Sequence, residues 1–375
     1  MGPLKGFRIV EIAGIGPGQL CGMLLADMGA DLIRIEKPQD GQDSLSVPGQ
    51  FNLMNRSRPT LTVDLKDAQG VKLIRRLCTE ADALFEGFRP GVMESLGLGP
   101  AECMAENERL VYGRMTGWGQ SGPLAQTAGH DTNYIALSGA LGCIGERDRP
   151  PPLPLNLVGD FGGGALYLAM GLLAAMLEAT RSGEGQVVDA AMVDGTASML
   201  TMFYGTLAGG QWVDRRQSNV LDGAAPFACC YETKDGGYIA VCALEQRFFR
   251  NLLEAMGIDD IDPAEQYQPK RWAQHRERLS GAFKSKRRDE WADVLAHLDA
   301  CATPVLSLGE APQHPHNVAR GTFVTVEGIE QPAPAPRFSR TESEISHGPS
   351  DDDALARRTL SDWGLTAAEI QAFCG

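Results

Sequence analysis

Strand-like and helix-like segments alternate through the first 115 residues of this chain, and that alternation restricts the fold to one built around a parallel sheet. Arg8 to Ile12 reads as a strand, about Gln19 to Met28 as a helix with Leu20, Leu24 and Met28 on one face, and Leu32 to Ile35 as a second strand. Thr60 to Asp64, a helix after Asp67 carrying Val71, Ile74 and Leu77, and the strands Ala83 to Glu86 and Leu110 to Met115 continue the pattern. The expected fold class is α/β: a Rossmann-like parallel sheet in a large domain, 1–190, with a smaller α+β domain after it.

Past residue 190 the pattern changes. A Met-rich helical linker, 191–225, leads to a small domain, 226–318. That domain opens on a hairpin of Cys229 to Thr233 and Tyr238 to Ala243 around Lys234-Asp235-Gly236-Gly237, followed by helices near Phe248 to Met256 and Asp289 to Leu298. A return linker, 319–332, and a stiff Pro-rich connector, Gln331 to Pro336, lead into 333–375, which completes the large domain with a short amphipathic helix, Leu365 to Phe373.

A net charge of −14 argues against non-specific attraction to nucleic acid or anionic membrane. The apolar run Ala165 to Leu177 is shorter than the roughly 20 residues a bilayer span needs, so it reads as a core helix with no membrane insertion. Nine scattered cysteines suit reduced thiols. With no apolar leader after Met1 and no peroxisomal address in Phe373-Cys374-Gly375, the expected location is cytoplasmic.

Two motifs imitate known sites. Gly14-Ile15-Gly16-Pro17-Gly18 follows the first strand, but the third glycine of a dinucleotide fingerprint would fall one place later and Pro17 interrupts the loop. It reads as a tight strand-to-helix turn without NAD. Asp160-Phe161-Gly162 copies the kinase magnesium tripeptide without the catalytic loop or the glycine-rich loop that must accompany it. What remains is an aspartate at a strand-to-helix junction followed by Gly162-Gly163-Gly164. An N-cap with packing glycines and a ligand-facing carboxylate with oxyanion-binding N–H groups fit that spacing equally well. His130, in Gly129-His130-Asp131, is one of six histidines, and no His/Cys/Asp/Glu grouping has metal-ligand spacing, so no metal is expected. Lys37, Arg56, Arg58, Arg75, Arg76 and Arg89 gather in the first domain and are candidate phosphate contacts, although any one of them is more often a solvated charge.

Read together, ordered motifs along essentially the whole chain resemble the α-methylacyl-CoA racemase family within the family III CoA-transferases. They are Gly6-Phe7-Arg8-Ile9-Val10-Glu11, Met28 to Glu36, Val63-Asp64-Leu65-Lys66, Glu86 to Val92, Met115 to Gln120, Ala128 to Asp131, Leu157 to Gly164 and Gly185 to Asp189. The resemblance implies an interlocked homodimer acting on an acyl-CoA thioester, with no cofactor beyond the CoA that the substrate carries. It assigns His130 and Asp160 as paired acid/base groups and Glu245 as the acidic support of the histidine, acting from the other subunit. It assigns CoA contacts to Lys37, Val63, Asp64, Leu65, Lys66, Gly87, Phe88, Arg89, Gly129, Asp131, Thr132, Asn133 and Tyr134. Ser95 stands where the family expects a basic residue.

The implied reaction interconverts R and S 2-methylacyl-CoA through an enolate, one group taking the α-proton while the other returns a proton to the opposite face. The alternative within the same group is a CoA-transferase using Asp160 as nucleophile. His130 decides between them, since the transferases usually lack histidine there. Asp160 must hold a proton part of the time; burial raises its pKa and a helix N-terminus lowers it, and spacing does not say which dominates. Met192 to Met202 reads as core packing or as an adaptable surface for the acyl chain.

Overall fold

The computed structural model describes residues 2–38, 47–350 and 352–374. The chain divides into two compact units. The first comprises Met1–Ser138, Pro154–Met199 and Val318–Gly375, and the second Gly139–Leu153 and Leu200–Asn317.

The first unit is built on six parallel strands: β1 (Arg8–Ile12), β2 (Asp31–Glu36), β3 (Thr60–Thr62), β4 (Ala83–Glu86), β5 (Val111–Thr116) and β6 (Val187–Ala191). Their order is β3-β2-β1-β4-β5-β6, so the chain leaves β1 toward one side and returns later to its other side. Successive side chains of a strand face opposite ways, and both faces are covered. Ile9, Phe85 and Val111 pack with Leu25, Leu168 and Leu172 on one face. Val10, Leu84 and Tyr112 pack with Leu73, Ile74, Leu77 and Trp363 on the other. The expected βαβ alternation is therefore present, as is the doubly wound sheet.

In the second unit β7 (Ala228–Glu232), β8 (Tyr238–Cys242) and β9 (Ala302–Pro304) form an antiparallel sheet, the first two as the expected hairpin. Helices Gln246–Met256, Pro269–Phe283 and Arg288–Leu295 close its core through Phe249, Leu252, Phe283 and Trp291. The last of these stops at Leu295, short of the expected Leu298, because Ala296 is extended (φ −57°, ψ 138°) and His297 has a left-handed φ of 65°.

Several expectations are corrected. The segment 319–332 is no simple linker: β10 (Phe323–Val326) and β11 (Ile329–Pro332) form a hairpin. The buried Arg56 fastens it to the first unit, donating to Gln331 Oε1 at 2.9 Å and to the Pro332 carbonyl at 2.8 Å. Residues 139–153 leave the expected large domain because Arg147 donates to the Gln217 carbonyl at 2.9 Å, and Arg216 reaches the Arg149 carbonyl at 3.0 Å. The 191–225 region breaks into helices Met192–Met199 and Thr201–Ala208. A helix over Asp353–Asp362, N-capped by Asp352, precedes the expected last one, found at Ala367–Cys374. Finally, the helical run Leu157–Ser182 is 26 residues long and apolar enough to cross a bilayer, so the argument from length fails. Packing places one face of it: Leu168, Leu172, Ala175, Met176 and Ala179 are buried in the sheet core.

Candidate active site

All six strands of the parallel sheet run the same way, so the turns after β1 to β5 emerge along one edge, where such folds bind ligands. Lys37 follows β2, Val63 to Lys66 follow β3, Gly87 to Arg89 follow β4, and the segment from Gly117 to His130 follows β5. Lys37, Lys66 and Arg89 are exposed, whereas Val63 and Leu65 are buried supports. Asp64 Oδ1 accepts from Lys66 N at 2.9 Å, and Glu86 Oε2 accepts from Phe88 N at 2.6 Å, so carboxylates hold both turns from within. The sheet's switch point lies between β1 and β4. There Gly14 faces Gly87, with 3.9 Å between a methyl built on Gly14 and the Gly87 Cα.

The other arginines expected to hold phosphates are committed elsewhere. Arg56 pairs with Asp27 at 2.6 Å, Arg58 is wholly buried against Glu11, Arg75 meets Glu106 at 2.7 Å, and Arg76 meets Glu80 at 3.1 Å. Of the six candidates, Lys37 and Arg89 remain exposed at the ligand edge, and Lys66 joins them.

His130 is an exposed residue that ends an extended segment (φ −134°, ψ 176°) and caps the helix Asp131–Leu137. Its N–H donates to Asn133 Oδ1 at 3.0 Å. Tyr134, one turn into that helix, is buried. Its hydroxyl donates to the Gly129 carbonyl, and its ring meets Trp118 edge-on at 4.8 Å. Burial pushes the Tyr134 phenol up to about 12, with Asp160 and Asp131 adding to the effect and Arg89 opposing it.

Asp160 lies inside a π-helical segment, Leu157–Ala165, that runs directly into the helix Leu166–Ser182. No strand precedes it, so the expected strand-to-helix junction is corrected to a widened helical turn, a form that recurs at functional sites. Its Oδ2 accepts from Asn156 Nδ2 at 3.3 Å. Burial is the largest influence on its pKa and raises it; the Asn156 hydrogen bond opposes, the Asp131 charge adds, and His130 opposes. Desolvation thus outweighs the factors that favour the ionised form.

Two assignments change at this turn. Asp131 turns inward: it is 5% exposed, and its Oδ2 accepts from the N–H groups of Gly159 at 2.6 Å and Asp160 at 2.7 Å. Those two N–H groups are therefore occupied, and they are not the oxyanion donors expected beside Asp160. The following glycines serve close packing. A methyl at Gly163 would meet the backbone of Thr196 at 2.7 Å, and one at Gly164 would meet the Met192 side chain at 2.8 Å.

Glu245, in the second unit, caps the helix Gln246–Met256 and is exposed, three residues beyond the end of the hairpin strand β8. Asn156 and Gly16 were missed in the sequence. Asn156 touches Asp160 by its hydrogen bond, and Gly16, in the turn after β1, leaves the space beside its carboxyl that a side chain would fill. The four-residue spacing from Asn156 to Asp160 is the only local signal for either contact.

A doubly wound sheet whose turns gather polar and basic side chains at one edge defines an α/β protein of the small-molecule-binding class. The CoA-transferase family III pattern matches residues 4–351, and the chain belongs to that family. Over 371 residues it is 42% identical to the α-methylacyl-CoA racemase of Mus musculus and 41% identical to that of Homo sapiens, covering 98% of this chain and 95% of each relative. Among solved structures, a CaiB/BaiF family protein from Brucella suis superposes with a TM-score of 0.78 at 27% identity, covering 96% of this chain and 99% of that one.

Proposed function

We propose that this chain is a racemase of 2-methylacyl-CoA thioesters, an isomerase that moves the α-proton between the two faces of an enolate. One observation carries the reading: the chain is 41–42% identical across 98% of its length to proteins named as racemases. His130 and Asp160 are both present at the ligand edge, which supports the chemistry.

Neutral His130 takes the α-proton of one epimer while protonated Asp160 delivers a proton to the opposite face. For the other epimer the ionised Asp160 is the base and the imidazolium the acid. Burial raises the pKa of Asp160 above the ordinary carboxylate value, which favours its acid role. The Gly159 and Asp160 N–H groups are occupied by Asp131, so the enolate oxygen takes its hydrogen bonds from other donors of the site. Lys37, Lys66 and Arg89 take the CoA phosphates. The protein works as a homodimer in which Glu245 of one subunit supports His130 of the other. The exposed apolar stripe of Leu166, Met170 and Leu177, each more than half accessible, supports a covered surface there.

The alternative is CoA transfer, in which Asp160 attacks the thioester and forms an acyl-aspartyl anhydride. Incubating a single 2-methylacyl-CoA epimer in D2O without an acceptor acid separates the two. Racemisation predicts deuterium at the α-carbon with loss of optical activity, and absence of exchange across a series of acyl chains would end the reading.

A further inference from the structure

We propose that Asp131 is a positioning residue, whose carboxylate fixes the widened turn that carries Asp160 and stands beside it. The proposal rests on the racemase reading but goes beyond it, since the resemblance gives Asp131 only a contact with CoA.

The geometry is specific. Asp131 begins the helix capped by His130, and its Oδ2 receives the N–H groups of both Gly159 and Asp160, at 2.6 and 2.7 Å. One side chain thus ties together the two segments that carry the acid/base pair. Gly159 has no room for a side chain, since a methyl there would stand 2.7 Å from the same oxygen. The other oxygen, Oδ1, is buried with no hydrogen-bond partner, and no cation pairs with the group among the described residues. A buried carboxylate stabilised by N–H groups alone keeps its field in the site.

The charge acts on Asp160. Facing Asp160 are Asp131 and His130 from the helix that His130 caps, with Tyr134 and, through it, Arg89 beyond them. The turn after β1 presents Gly16, and the helix Met192–Met199 meets the widened turn through Gly195 and Thr196, its Asp194 being exposed. On β5 Arg114 is held by Glu94 at 2.7 Å, and on β6 Asp189 is exposed. Among the described residues that act on Asp160, Asp131 opposes its ionisation and His130 favours it.

Asp131→Asn tests the charge alone, because the amide oxygen still accepts both N–H bonds. Removing the negative charge lowers the Asp160 pKa, so the acid limb of kcat/KM for α-proton exchange moves down by about one pH unit. The limb moves equally in both directions, since the epimer equilibrium does not change with pH. Asp131→Ala also releases the turn and lowers exchange by about 100-fold. An acid limb of Asp131→Asn coincident with the wild type would overturn the proposal, as would Asp131→Ala at wild-type activity. A second measurement needs no turnover: the infrared carbonyl band of protonated Asp160, taken as wild type minus Asp160→Asn, is titrated with and without Asp131→Asn. An unmoved titration overturns the proposal even if the protein proves not to be a racemase, whereas loss of that function with a shifted titration leaves the positioning role standing.

Discussion

Gly16 and Asp160 face each other with room for no side chain between them: a methyl group on Gly16 would stand 3.2 Å from Asp160 Oδ2. Gly16 has a φ of 72° and ends the turn between β1 and the helix Pro17–Asp27. Gly16→Ala therefore incurs a left-handed backbone cost of about 1–2 kcal/mol and also displaces the carboxyl. The carboxyl has to give way by only a few tenths of an ångström, so the loss in rate should stay below the roughly 100-fold that a misplacement of about 1 Å costs. The α-proton exchange rate should fall far more than the thermal midpoint, and a variant that melts early but exchanges at the wild-type rate would refute the contact.

The two faces of the enolate make the acid/base assignment separable. With Asp160→Asn, racemisation should drop by about 10²- to 10⁴-fold, yet the epimer whose proton faces His130 should still exchange deuterium without inverting. By the family resemblance that epimer is S. His130→Gln should show the mirror behaviour, with exchange confined to R. Mass spectrometry and polarimetry on each pure epimer decide it, and residual inversion above a tenth of wild type in either variant would remove that residue from the pair.

The parts of this site that were legible and the parts that were not differ in physical kind. The strands and the hairpin show in the sequence because apolar periodicity records which face is buried. The helix Pro269–Phe283 was missed because it buries only His275, Leu279 and Phe283 among charged residues, too few for a clear stripe. The widened turn at Asp160 was misread since glycines signal both strand ends and close helix contacts. Gly16 and Asp160 are far apart in sequence, and spacing carries no information on such a contact. The arginines looked like a phosphate patch because composition shows charge without its partners. Glu11, Asp27 and Glu106, which neutralise three of them, are brought in by the fold.

Glu86 gives the fold a pH dependence. It ends β4 in a buried position, near Arg114 at 3.3 Å, and burial pushes its carboxyl up to about 7 despite the Phe88 N–H and Arg114. A folded pKa above the ordinary value of 4.5 means that its contribution is complete below about pH 4.5 and is lost as pH rises through about 7. Between pH 5.5 and 8 this one group should cost about 2 kcal/mol of stability. Glu86→Gln should flatten that slope in denaturant titrations at the two pH values, and an unchanged slope would show that Glu86 is not its source.

The ion cluster under the turn supports the same region from below. Glu11, next to the last residue of β1, is fully buried, bonded to Arg58 Nη1 and 3.6 Å from Arg34 Nε; Arg58 also donates to the Met54 carbonyl. Burial pushes the Glu11 carboxyl up even with both cations present. Arg58→Met would leave Glu11 with Arg34 alone, a partner already shared with Glu36 at 2.9 Å, and should destabilise by about 3–5 kcal/mol. The loss should be smaller at pH 5 than at pH 8, because an acidified Glu11 no longer needs the cation. Adding Glu11→Gln should recover much of the loss, since the stranded charge rather than the missing contact carries most of the cost. Denaturant midpoints for the two single variants and the double variant test this as a cycle. If the double variant is destabilised by the sum of the two singles, Arg58 and Glu11 do not act as a pair.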